Sequence, residues 1–307
     1  MRSGLALATC YLIIAAPALT AQKDKTYDLK LEPKPFAGQL TEESYTDSMA
    51  MHMSFKAGKK KAVKENQKQS SRFELTALVL ETAGDEITKQ KWSFKTARRL
   101  VEGKEVPFGF EGKTVIVTRA PSGDAAFQYE NGTSLSGEDL EGIKGVKSSE
   151  TEKKEEGKPD ADEAFAPKTP VKPGQSWNPD MSLLAGSILD PENLADVDMK
   201  KSKGKMTLKA VKIIDGKEFA VITGKIDIYS KSFGPFRGDK PVLISVAVSL
   251  QVCADGSVPD GKVEMKMKIK GKTVTVPPGS GQSVDVVLDI NAAKKGSVKT
   301  IKPEAKK

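Results

Sequence analysis

The chain has 307 residues, a formal charge of +8, 6% aromatic side chains, two cysteines and a single histidine. That inventory excludes a disulfide framework and the common zinc sites, which need several Cys or His ligands. Any Ser-His-Asp or Cys-His arrangement would have to use His52 as its base.

Residues 1–21 predict export. Arg2 supplies a positive start, and Leu5 to Ala16 form an apolar run shorter than the roughly 20 residues that span a bilayer. Pro17 breaks it, and Ala18, Thr20 and Ala21 complete a cleavable secretory signal, with cleavage expected after Ala21 and Ala18 as the alternative. Cys10 lies in the middle of the apolar run, which disfavours a lipid anchor, and it leaves with the signal. Cys253 then remains as the lone thiol. The expected destination is the periplasm or the exterior.

Thr26 to Leu31 reads as a short strand, followed by Pro33 and Pro35. Leu40 to Phe55 predicts a long strand, with Tyr45, Met49, Met51, Met53 and Phe55 on one face and His52 on the other. Gly58 to Ser71 is polar and reads as a loop. Phe73–Leu80 and Ile87–Ala97 form a hairpin across Gly84, and Thr114–Arg119 pairs with Ala125–Tyr129. Ser136 and Asp139 suggest a capping box for a short helix to Gly145. Residues 147–162 carry almost no apolar side chain and read as a linker or disordered insertion.

Lys168 to Trp177 then opens the second half. Pro170 and Pro173 disfavour helix there, and Gly174 permits a turn. Met181 to Leu189 predicts a helix capped by Asp180, and Pro191 begins another. Beyond it the pattern is β: Lys205–Ile213 and Phe219–Ser230 flank Asp215-Gly216, and Pro241–Val252, Lys262–Lys270, Thr273–Val276 and Val284–Ile290 alternate. The tail from Lys294 is basic and reads as loose.

The expected fold is all-β, with long antiparallel strands in a sandwich or an open or half barrel and one or two short helices. Its parts are a signal at 1–21, β units at 22–146 and 169–293, a charged linker at 147–168 and a basic tail at 294–307. A faint duplication supports two related units: Gly38-Gln39 matches Gly174-Gln175, and Gly112-Lys-Thr-Val115 matches Gly271-Lys-Thr-Val274. The alternative is one sheet that resumes after a charged insertion. Gly112-Lys-Thr-Val-Ile-Val-Thr118, Leu135-Ser-Gly-Glu-Asp139 and Pro170 to Trp177 resemble exported bacterial all-β proteins of uncharacterised function. That resemblance implies export and a β fold, and nothing catalytic.

The remaining chemistry is weighed residue by residue. Met49, Met51, His52 and Met53 offer soft ligands for Cu(I), but strand parity puts His52 opposite the methionines, so core filling is the simpler reading. Asp190, Glu192, Asp196 and Asp198 supply oxygens for calcium, or serve as helix caps and solvated loop carboxylates. Gly112-Lys-Thr and Gly271-Lys-Thr lack the earlier glycine of a phosphate loop, and Gly279 to Ser283 reads as a turn. Asn131-Gly-Thr133 is a glycosylation sequon in a host with that machinery. No catalytic residue or cofactor is assigned.

Three functions remain open: a non-enzymatic binding or structural protein of the envelope or exterior, a carrier of a lipid or other apolar ligand, and a hydrolase using carboxylates alone. The partners expected are an apolar ligand or an anionic envelope surface. Nucleic acid is not expected, because the basic residues are spread out and not interleaved with aromatics. An apolar cavity would favour the carrier.

Overall fold

The computed structural model describes residues 24–31, 33–59, 61–120, 124–146, 161–189, 191–234, 236–275 and 283–301. The fold is all-β. The strands are β1 (Leu40–Lys56), β2 (Val63–Ala83), β3 (Glu86–Val101), β4 (Lys104–Pro107), β5 (Thr114–Arg119) and β6 (Ala125–Tyr129) in the first half. The second half holds β7 (Ser176–Trp177), β8 (Lys203–Ile214), β9 (Lys217–Phe233), β10 (Phe236–Cys253), β11 (Gly261–Thr275) and β12 (Val284–Thr300). Among the described residues three short α-helices accompany them, α1 (Gly137–Lys144), α2 (Ala161–Phe165) and α3 (Met181–Ile188), with a 3-10 helix over Pro191–Asp196.

All the strands join one antiparallel sheet in the order β6-β5-β3-β2-β1-β12-β11-β10-β9-β8-β7, with β4 paired to β3. Each half is therefore a meander, and the two meet where β1 pairs with β12 from Thr41↔Thr300 to Lys56↔Asp285. Tight turns fold each meander back on itself. Asp215 and Gly216 both take positive φ between β8 and β9, as a two-residue hairpin turn requires. Gly38 and Gly174 share φ +87°, and the following Gln39 and Gln175 donate to the carbonyls of Phe36 and Lys172. The Gly-Gln echo is thus the same turn used twice. The Gly-Lys-Thr-Val echo is not, because Gly112 sits in a turn while Gly271 lies inside β11.

The described residues cover only one face of the sheet, the usual arrangement for antiparallel strands. Alternation sets that face: Val242, Ile244, Val246 and Val248 of β10 point inward and are buried, while Ser245, Ala247 and Ser249 point out. Two apolar clusters pack on it. The first joins Ile222, Ile226, Ile228, Ile244 and Ile269 to Leu184 of α3, Phe165 of α2 and Tyr27 and Leu29 from the N-terminal segment. The second joins Phe73, Trp92, Phe94, Val115 and Phe127 to Phe108, Phe110 and Ile143 of α1. Phe94 and Phe110 meet edge to face at 4.7 Å between ring centroids, a geometry that adds about 0.5–1.5 kcal/mol beyond area burial.

Several expectations change. The polar run ending at Ser71 is mostly strand, because β2 starts at Val63 and pairs with β1 from Phe55 to Leu40. Backbone pairing there needs no buried side chains. The predicted strands at Lys262–Lys270 and Thr273–Val276 are one, and β12 runs to Thr300 through the basic stretch that reads as a loose tail. Thr26–Leu31 makes only a bridge, Tyr27↔Val171. Asp180 caps α3 by accepting from the N–H groups of Ser182 and Leu183 at 3.1 and 3.3 Å. Ser136 makes no side-chain cap, and Asp139 instead accepts from Gly109 N–H at 2.7 Å and Tyr129 O–H at 3.2 Å. Residues 1–21 and nearly all of the 147–162 segment lie outside the described residues.

Candidate functional site

Among the described residues the two clusters leave the middle of the inner face uncovered. Cross-strand register puts Gln69, Met49, Ala292, Met267 and Val246 in one row across β2, β1, β12, β11 and β10. The adjacent row holds Ser71, Asp47, Lys294 and Met265. Val246 is buried under the first cluster, whereas Met49, Met265 and Met267 are only partly buried at its edge. The result is an open trough of about 580 Å³, within the roughly 300–1,000 Å³ common for ligand pockets. Its β11 side is apolar, with Met265, Met267 and Ala292. Its β2–β3 side mixes Gln69, Ser71 and Arg99 with Leu100 and Val101.

Asp47 is the one carboxylate among the described residues that line this trough. Burial pushes its pKa up, and the opposing charge of Lys294 only partly offsets that. Arg99 is held at the trough wall by an ion pair with Glu138 and lies over the Phe108 ring at 5.3 Å. Its Nε is buried without a hydrogen-bond partner.

A second depression of about 730 Å³ lies on the other face of the same strands. Its lining includes Ala50, Ala247 and Ala293 with Lys68, Lys225, Lys266 and Lys268, all of outward parity. Met49, Gln69, Val246, Met267 and Ala292, all of inward parity, also border it.

The residues singled out by chemistry do not converge. His52 is exposed on the outer face, with Nδ1 2.6 Å from Asn66 Oδ1, while the neighbouring Met49 and Met51 face the inner side. Cys253 is buried at the end of β10, and its Sγ donates to Asp255 Oδ1 at 3.1 Å. That bond, with two from Ser257, holds the Asp255 pKa down at about 2. Asp198 is paired with Lys201 at 3.0 Å, which lowers its pKa, and Asp190 lies outside the described residues. The structure describes neither the Glu192 side chain nor the turn from Gly279 to Gln282. Among the described residues no group of three or more His, Cys, Asp or Glu could hold a metal ion. No described helix is long and apolar enough to cross a membrane.

Sequence reading found the methionine face of β1 but not the trough. The trough depends on β12 and β11 lying beside β1, and pairing partners leave no mark in local periodicity.

No family model matches the chain, and no curated protein matches it. Among solved structures the chain is similar to lipovitellin, from work on lipid–protein interactions in that protein, with a TM-score of 0.35 and 6% identity. The match covers 89% of this chain and 26% of the lipovitellin chain. A DUF1329 family protein from Desulfovibrio piger is a fainter likeness, with a TM-score of 0.11, 10% identity and coverage of 86% and 87%. Likeness at these levels bears on neither ligand nor chemistry.

Proposed function

We propose that the protein is an exported, non-enzymatic binding protein that holds an apolar ligand in the inner trough. One observation carries this reading. The central strands keep Met49, Met265, Met267 and Ala292 on the face that both neighbouring clusters bury, yet nothing described closes over them there. Methionine is flexible and polarizable, so such a surface adapts to an alkyl chain better than branched residues would. Arg99, Lys294, Asp47 and Gln69, which line the same trough, suit a polar end group.

The test is titration of the purified protein with a fluorescent fatty acid, alongside mass spectrometry of organic extracts. Saturable binding near one ligand per chain is expected. Ala292 lies between Met49 and Met267 on neighbouring strands, so Ala292→Trp fills the trough and should weaken binding by roughly tenfold or more. Unsaturable uptake, or full affinity in Ala292→Trp, overturns the reading. Export is part of it: the protein recovered outside the cytoplasm should begin at Gln22, and an intact Met1 would count against that.

A further inference from the structure

The outer face of the sheet carries no cover among the described residues, and its charge is one-sided. On β11 the side chains alternating with the inward methionines are Lys262, Glu264, Lys266, Lys268, Lys270 and Lys272. Lys225 of β9, Lys203 and Lys205 of β8, Lys68 of β2 and Lys295 of β12 share that face. The acids facing them are few. Glu264 pairs with Lys266 at 3.0 Å and Lys295 at 3.5 Å, Asp289 with Lys270 at 3.4 Å, and Asp227 with Lys225 at 3.6 Å. Glu42 and Asp285 lie toward the ends of their strands, Glu74 midway along β2 is paired with Arg72, and His52 is the one imidazole. Lys262, Lys268, Lys272 and Lys68 make no ion pair among the described residues.

We propose that this face docks on an anionic lipid bilayer. Each lysine close to such a surface contributes about 1 kcal/mol of attraction. A row of unpaired lysines along one strand, with more two and three strands away, is the surface that sums those terms. The depression of about 730 Å³ admits lipid headgroups between Lys225, Lys266 and Lys268, over a floor of Ala247 and Ala293. Among the described residues the outer faces of β1, β11 and β12 present no phenylalanine, tyrosine or tryptophan, and Tyr229 of β9 is a single ring beside the lysines. Successive bases of a single strand therefore have no series of stacking platforms there. A second copy of this chain would bring like charges together. The inference stands apart from the trough reading, because the two sites lie on opposite faces.

Flotation of the purified protein with vesicles tests it. Binding is expected to vesicles of phosphatidylcholine with phosphatidylglycerol, not to phosphatidylcholine alone, and is expected to vanish at high salt. Lys262→Gln, Lys268→Gln and Lys272→Gln together should reduce partitioning roughly a hundredfold. A matched triple at Lys104, Lys172 and Lys200, exposed lysines outside this face, should leave it nearly unchanged. Circular dichroism confirms that both triples fold. Four results overturn the proposal: no flotation at low salt, binding that survives high salt, equal losses in both triples, or displacement by inorganic phosphate below screening concentrations. The lysine triple should leave fatty-acid binding in the trough intact, so failure of either site is read separately.

Discussion

At the scale of single residues, Asp47 is the most informative side chain. It points into the trough beside Met49, makes no ion pair within the described residues, and is partly shielded from water. Burial raises its pKa, so the folded protein holds this proton to a higher pH than the unfolded chain does. The sign follows. Stability contributed by the group is full when it is protonated in both states at low pH. It falls as pH rises from the unfolded value through the folded one. Asp47→Asn should therefore raise the urea midpoint at pH 7, and the gain should vanish as pH drops below the ordinary aspartate range. A variant no more stable than its parent at pH 7 would show that Lys294 fully offsets the burial. The cost retained in the native chain makes sense if a ligand's polar end group meets Asp47.

At the scale of strands, close packing of neighbours limits what each position accepts. Gly224 of β9 lies opposite Met206 of β8, and a Cβ there would fall 2.0 Å from Met206 Sδ and 2.9 Å from its Cε. Met206 is fully buried and cannot swing aside into solvent. Gly224→Ala should cost about 1–3 kcal/mol by overpacking, measured by chemical denaturation, with Met206→Val in the same chain recovering part of the loss. An unchanged midpoint would mean the β8–β9 interface is looser than its burial indicates. Strands such as these were legible in the sequence wherever one face is apolar. Val242 to Val252 and Phe219 to Ser230 alternate cleanly because their inner faces form a core. The first part of β2, from Val63 to Gln69, was not legible, because it is exposed on both faces and held by backbone pairing to β1. The end of β12 was missed for the same reason: Lys294, Lys295 and Lys299 pair with β1 while their side chains lie near or in solvent. The trough inherits that blindness, since Gln69, Ala292, Ala293 and Lys294 of its lining come from those two segments.

At the scale of the whole molecule, one sheet carries two cores. No residue belongs to both clusters, and Asp47, Gln69, Ser71 and Lys294 intervene on the face between them. Among the described strands the extended link is the β1–β12 backbone ladder, a contact between distant segments that local sequence cannot announce. Hydrogen bonds across such a ladder keep the halves in register, but each contributes only about 0.5–1.5 kcal/mol net. Apolar packing, which supplies most cooperativity, stops at the trough on either side. The two halves should then open as separate units. Trp92, fully buried in the second cluster with its Nε1 donating to Gln90 at 2.6 Å, gives the test. Trp92→Ala should cost about 3–5 kcal/mol, and hydrogen exchange should show the loss in β2, β3, β5 and β6. The amides of β9 and β10, anchored by Ile226, Ile228, Val242 and Ile244, should keep their protection. Equal loss in both halves would mean that the ladder alone makes the molecule one cooperative unit. Ligand in the trough would touch β2 and β3 on one side and β11 on the other. A bound apolar molecule should therefore tie the halves together, so the Trp92→Ala protein with fatty acid should regain protection in β2 and β3 that it lacks without it.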